Sequence, residues 1–230
     1  MKANATSSVI RVELHAHTRV SEDCLVRPAR LIEHCEKIDL DWIAITDHNE
    51  ISGALEAKNL APERVIVGEE IETTQGELIG YFMREWVPPG LQPMAAITRL
   101  RNQGAVISVA HPFDTVRSKH WLEEDLLAIA PEVDAIEVFN ARCLNNKPNQ
   151  AAEVFAKQHG LLATVGSDAH SLWEVGRATL HLPSFSDAQS FLRGLPEARQ
   201  TTRLSPAFVH LFSRFAVFYK RLESMVGIRN

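Results

Sequence analysis

Little in this sequence points to a cross-linked scaffold, a membrane span or a nucleotide loop. Cysteine occurs only as Cys24, Cys35 and Cys143 in 230 residues. An odd, scattered set argues against a disulfide framework and fits a reducing compartment, here expected to be the cytoplasm. No Cys-x-x-Cys pair is present, which removes the thiolate zinc ribbons. Basic residues are not in excess: 24 Lys and Arg face 29 Asp and Glu, for a net charge of -5. That balance counts against a dedicated nucleic-acid binder, which usually carries a basic stripe. No apolar run approaches the roughly 20 residues of a membrane span. The opening MKANATSS has one Lys and no apolar stretch, so it does not read as a signal peptide. Neither GxGxxG nor a P-loop follows any strand pattern, and no GxSxG elbow occurs, so nucleotide-loop and serine-nucleophile chemistries lack their signatures.

What the chain does have is a succession of short apolar runs separated by helical patterns, in a composition that is 45% hydrophobic. VIRVEL (9–14), WIAIT (42–46), ERVIVG (63–68), ELIGYF (77–82), AVISVA (105–110), VDAIEVF (133–139) and LLATVG (161–166) read as strands, and ATLHLP (178–183) can add one more. Pro28 can open a helix that carries Leu31, Ile32 and Cys35 at helical spacing. Helices over 94–104 and 149–160 end at Gly104 and Gly160, residues suited to a helix C-terminus. Strands alternating with helices predict a parallel sheet, either an open doubly wound sheet or a closed barrel. Residues 205–225 are rich in Phe, and Phe208, Leu211, Phe212, Phe215, Phe218 and Leu222 share a helical stripe. Ser205-Pro206 is a suitable N-cap pair, and the simplest reading is a helix closing the core. A dimer helix or a membrane-surface helix are the sharper alternatives, given Arg214, Lys220 and Arg221.

The chemistry-bearing residues sit at the ends of these strands. His15-Ala16-His17 follows the first strand and Asp168-Ala169-His170 the last; residues at i and i+2 of an extended segment share a face, so each pair can reach one ion. Asp47-His48, Glu69-Glu70 and His111 follow three other strands. In parallel α/β folds the C-terminal strand ends lie on one side, so these residues would converge there. Imidazole and carboxylate without thiolate suit Zn²⁺, Mn²⁺ or Fe²⁺. His34, His120, His159, His181 and His210 lie in predicted helices or outer strands and read as structural or solvated.

HAHTRVSEDC followed by IAITDHN, then GEEIET, ELIGYF, AHPF, EVFNAR and GSDAH in that order, resembles the PHP (polymerase and histidinol phosphatase) domain family over roughly residues 9–200. The resemblance implies an α/β fold, a distorted (β/α)7 barrel with its metal site at the C-terminal strand ends, and a phosphoesterase activity. Residues 1–8 would be a flexible N-terminus, 9–200 the barrel domain and 201–230 a C-terminal helix packed on it. Two or three divalent ions (Mn, Zn or Fe) are implied. His15, His17, Glu70 and Asp168 would hold one; Glu70 would bridge to a second, also held by His111; Asp23, His48 and His170 would hold a third. Where the family often places His, this chain has Glu77, which would favour a harder ion such as Mn²⁺ or leave the second site weak.

The expected reaction is attack of a metal-bridging hydroxide on a small phosphate monoester such as a nucleotide or sugar phosphate. Arg142, in EVFNAR, is the preferred phosphate-binding and catalytic arginine, with Arg19 a second candidate and Arg117 and Lys119 further ones. Glu137, mid-strand among apolar residues, either orients a ligand histidine or pairs across strands, and Asp47 invites the same reading. A nuclease acting on short oligonucleotides and a non-catalytic metal-stabilised binding module are the alternatives. Oligomeric state is open at this level.

Overall fold

The computed structural model describes residues 9–117 and 119–226; the expectation for residues 1–8 lies outside them. Nine strands form one sheet in the order β7-β6-β5-β4-β3-β2-β1-β8-β9. They are β1 (Val9–Ala16), β2 (Trp42–Ile45), β3 (Val65–Glu72), β4 (Glu77–Tyr81), β5 (Val106–Val109), β6 (Ala135–Asn140), β7 (Leu162–Gly166), β8 (Ala178–Pro183) and β9 (Arg199–Thr202). The barrel nearly closes where the segment after β7 meets the end of β1: His17 N–H donates to Ala169 O (2.9 Å) and Ala169 N–H to His15 O (3.3 Å). Seven strands thus ring the centre, as the expected distorted barrel requires, and β8 and β9 extend the sheet from the first half of β1.

The ring is not uniformly parallel. β4 runs antiparallel to both β3 and β5, because only residues 73–76 separate it from β3, too few for a crossover. β8 is also antiparallel to β1. The reversal matters for the site: the first residue of β4, Glu77, lies at the same rim as the last residues of its parallel neighbours.

Helices α1 (Pro28–Lys37), α2 (Ser52–Leu60), α3 (Pro93–Asn102), α4 (Glu123–Ile129), α5 (Lys147–His159) and α6 (Ala188–Gly194) accompany the strands. Pro opens α1 and α3, and Gly160 closes α5 at φ 67°, where a Cβ would be unfavourable. Their inner stripes, such as Leu31 and Cys35, Ala54 and Ala57, Ile97 and Leu100, are buried in one apolar core with the strands. Strand interiors facing the barrel axis are instead partly polar: Glu13, Ser108, Glu137 and Thr164 are buried.

The C-terminal helix α7 (Val209–Val226) departs from its expected role. Ser205 is not its N-cap; the Ser205 N–H donates to Ala141 O (2.7 Å), four residues before the helix begins. Val209 and Ala216 are the residues it buries, while Phe208, Leu211, Phe212, Phe215, Phe218 and Leu222 are each more than 40% exposed. The surface beneath α7 is polar: Arg142 donates to Val209 O (3.2 Å) and to Ser213 Oγ (2.8 Å), and Lys220 Nζ to the carbonyls of Arg19 and Ser21. A small and polar helix face suits that surface better than a row of Phe rings.

Candidate metal centre

Strand alternation decides which side chains enter the site. On β3, Glu70 points inward, while Glu69 faces the other way and accepts from Val87 N–H (3.0 Å). Glu72, two residues beyond Glu70, reaches the rim and pairs with Lys119 (2.8 Å). On β1 the same alternation puts Glu13 and His15 on the inner face, with His17 following.

Glu70 is the hub. Its Oε2 lies 3.3 Å from His15 Nε2, 3.5 Å from His17 Nε2 and 2.9 Å from His48 Nδ1, and its Oε1 lies 2.8 Å from His111 Nε2. Asp168 Oδ1 stands 3.2 Å from His17 Nε2 and 3.8 Å from His15 Nε2. Asp23 meets His170 Nε2 at 2.8 Å and His48 Nε2 at 3.7 Å. Glu77 Oε2 is 3.5 Å from His111 Nε2. The nine expected ligands therefore stand together at one rim. Three subsets each offer ligand atoms within 4.8 Å of one another: His15, His17 and Glu70; His17, His48 and His170; and His48, Glu70 and Glu77.

The cluster is built for cations. His15 Nε2, His17 Nε2, Asp23 Oδ1, Glu70 Oε2, Asp168 Oδ1 and His170 Nε2 are all buried and make no well-aligned hydrogen bond, although oppositely charged atoms stand as close as 2.8 Å. Each such group costs about 1–3 kcal/mol, and those of His15, His17 and Glu70 belong to one set of ligand atoms within 4.8 Å of one another. Two of the expected ligands, His111 (φ 24°) and Asp168 (φ 53°), also hold backbone conformations that L residues rarely adopt, a strain that tends to be kept where function needs the side chain there. A nitrogen and oxygen donor set without thiolate, with orphaned atoms aimed inward, fits divalent ions.

Supporting groups fix these ligands. His15 Nδ1–H donates to Glu137 Oε1 (2.9 Å), and Glu137 Oε2 accepts from His111 N–H and Asn140 Nδ2, each at 3.0 Å. Asp47 accepts from Thr18 N–H and Thr18 Oγ1 (both 2.6 Å) and Ser21 Oγ (2.7 Å), fastening the loop that carries Asp23. Glu13 was not singled out from the sequence. Its carboxylate collects N–H groups of Leu14, His15, Ser167 and Gly176 and the Ser167 hydroxyl, holding the two ligand-bearing ends of β1 and β7 together. The available signal was its position two residues before His15. Burial and the nearby His170 and His48 hold His17 well below the ordinary histidine pKa, so its ring is neutral as ligation requires. Burial, then the neighbouring Glu70, raises Glu77.

The arginines are arranged differently from the expected order. Arg142 is buried beside His170: its Nη1 lies 2.8 Å from His170 Nδ1 and its Nε 3.1 Å from Glu174 Oε1, with the remaining nitrogen on α7. Its donors are consumed internally, so it is a structural tie rather than a group facing substrate. Arg19 contributes backbone contacts to Val26 and Lys220, and its side chain meets none of the ligands among the described residues. Arg117 reaches the cluster from the side of the open cleft, through Asp168 Oδ2, with Asp114 steadying its Nε (3.2 Å). A cleft of about 760 Å³ opens above the site, lined by Asp23, His48, Asn49, Glu77, Arg117, Lys119 and Val217 among others.

Comparison with known proteins agrees with this architecture. A family model described as PHP domain matches residues 13–164, and one described as PHP-associated matches 146–199. An uncharacterized protein of Methanocaldococcus jannaschii is 39% identical over 173 residues, which is 74% of this chain and 69% of that protein. Among solved structures, PsfC from Pseudomonas syringae superposes with a TM-score of 0.65 at 19% identity, over 93% of this chain and 98% of its own. A two-domain protein from Bacteroides vulgatus containing a predicted PHP-like metal-dependent phosphoesterase gives 0.66 at 20% identity, over 85% of this chain and 65% of that one. At such identities the structures establish the fold alone.

Proposed function

Because the chain belongs to the PHP domain family, we propose that it is a metal-dependent phosphoesterase acting on a small phosphate monoester, a nucleotide or sugar phosphate. The observation that carries this reading is the set of orphaned imidazole and carboxylate atoms at one rim with a guanidinium beside them. His15, His17, Glu70 and Asp168 would hold one ion, Glu70, Glu77 and His111 a second, and Asp23, His48 and His170 a third, with Mn²⁺, Zn²⁺ or Fe²⁺ the suitable identities. Bound there, such ions supply a water of lowered pKa and neutralise phosphoryl oxygens.

The chain's own residues do the rest. Arg117 grips the phosphate: two of its nitrogens rest on Asp114 and Asp168, and Nη1 has no hydrogen-bond partner among the described residues. Nη1 is left to give a charge-assisted hydrogen bond to a phosphate oxygen. Glu137 and Asp47 keep the ligand-bearing segments in place. The cleft volume suits a small molecule. Among the described residues its lining contains Glu22, Asp23, Glu72 and Glu77 but no Phe, Tyr or Trp on which a base could stack. That favours a monoester over an oligonucleotide, whose binding sites combine positive grooves with aromatic platforms.

No described helix is long and apolar enough to cross a membrane, and the three cysteines are free and buried; we place the protein in the cytoplasm on that chemistry. Turnover of p-nitrophenyl phosphate and of its bis ester by protein reconstituted with Mn²⁺ tests the activity. Faster cleavage of the monoester is expected. Preference for the bis ester would favour the nuclease reading, and no turnover of either across a panel of divalent metals would favour a non-catalytic module.

A further inference from the structure

Helix α7 has two faces with different tasks. The inner one, Val209, Ser213, Ala216, Val217 and Lys220, lies on the barrel, where Val217 borders the cleft and Lys220 holds the Arg19 and Ser21 carbonyls. The outer one carries Leu211, Phe215, Phe218, Leu222 and Met225, with Phe208 just before the helix, at spacings that alternate between three and four residues. Positions seven apart repeat throughout: Phe208, Phe215 and Leu222 form one row, and Leu211, Phe218 and Met225 the other. A sustained 3.5-residue repeat is the seam of a helix paired with another helix, narrower and more regular than the broad apolar face of a helix lying on a lipid surface.

The seam is open to solvent in a single copy, from 43% exposed at Leu222 to 80% at Met225. Together with Phe212 and Tyr219, these residues expose roughly 650–1,100 Å² of mainly apolar surface, taking roughly 150–250 Å² as the full area of each. That exceeds the largest apolar patch usual on a monomer and matches the roughly 800 Å² per partner of a standard interface. A groove of about 650 Å³ runs beside the seam, with Leu25, Val26, Leu172, Phe212 and Phe215 in its wall and Arg27, Arg30 and His170 also lining it. Knobs and groove on one face make the surface self-complementary, as a two-fold contact demands. Arg214 and Arg221 flank one edge of the seam and Phe212 and Tyr219 the other. Parallel pairing sets arginine against the partner's aromatic rings, whereas antiparallel pairing sets arginine against arginine.

We propose that α7 pairs in parallel with α7 of a second copy of this chain, forming a two-fold dimer with the barrels on opposite sides of the helix pair. Pairing would also clamp the inner face of α7 over the mouth of the cleft.

Sedimentation of the full chain at about 1–100 µM tests the proposal. The wild type is expected at twice the chain mass. Phe215→Glu with Phe218→Glu is expected to sediment at the chain mass throughout, an affinity loss of at least about a hundredfold from charges placed in the seam. Leu60→Glu, at an exposed position on α2, should leave the dimer intact. A wild type that stays monomeric, a double variant that stays dimeric, or a monomeric wild type that co-sediments with phosphatidylglycerol vesicles would each overturn it. Phe218→Cys gives an independent reading, since the native cysteines are buried: mild oxidation should yield a disulfide-linked dimer, and its absence would overturn parallel pairing.

Discussion

Glu137→Gln separates an orienting carboxylate from an ordinary buried polar residue. The substitution keeps shape and removes one oxygen acceptor. In the native site Oε1 accepts from His15 Nδ1–H, while Oε2 serves His111 N–H and Asn140 Nδ2. A Gln amide has one acceptor end and one donor end. Whichever way it turns, an N–H of Gln meets an N–H of a neighbour. If the donor end faces His111 and Asn140, a buried backbone N–H is orphaned at about 1–3 kcal/mol. If it faces His15, the ring loses the acceptor that keeps its proton on Nδ1 and leaves Nε2 free for an ion. Loss of such a supporting carboxylate costs about 10–100-fold in metal affinity, or about 1.4–2.7 kcal/mol. The assay is competition against a chelator of known affinity, with the melting temperature of the metal-free protein measured alongside. A folded variant that retains its ions as tightly as the wild type would refute this reasoning and leave Glu137 as a cross-strand partner only.

The remaining expectations rest on other contacts. Arg117→Ala should lower kcat/KM for a phosphate ester by roughly 10–100-fold, the value of one charged hydrogen bond, with the fold intact. Arg142→Ala should act on stability, since Glu174 would be left buried without its cation; at about 3–5 kcal/mol the melting temperature falls by roughly 6–20 °C. Gly166→Ala places a Cβ 2.2 Å from His15 Cβ and 2.4 Å from Glu137 Oε1, so overpacking of about 1–3 kcal/mol and weaker ion retention are expected together in calorimetry and metal analysis. His48 is pushed up to about 10, because the carboxylates of Glu70 and Asp23 outweigh the burial that opposes them. Its raised pKa stabilises the metal-free fold fully below the ordinary value of 6.5, and that contribution is lost as pH rises toward about 10. An ion held by His48, as proposed, would displace the same proton, so apparent affinity should rise about tenfold per pH unit across that window; a pH-independent affinity between those limits would contradict it.

Much of this was readable along the chain. The strands are close to the runs expected from apolar spacing, and β8 coincides with ATLHLP, because period-two burial and breaker residues are local properties. The candidate ligand types were readable too: His15 and His17 share a face by the geometry of extended backbone, whereas Asp168, at φ 53°, leaves that geometry and stands against His17 while His170 stands against Asp23. The choice of Glu70 over Glu69 rested on the resemblance to the family, and the alternation of β3 turns Glu69 away from the site. Three things required the folded chain. The direction of β4 follows from a short connection in a closing barrel, and that direction brings Glu77 to the ligand rim. The choice between Arg142 and Arg117 depends on which loop turns over the rim and which side chain is absorbed by α7 and Glu174; both follow a strand, so sequence position cannot separate them. The outward Phe stripe of α7 depends on the polarity of the surface it lies on, which is assembled from loops far apart in sequence. Periodicity determines that a helix has an apolar side; only the tertiary surroundings decide whether that side meets the protein's own core or is left for another chain.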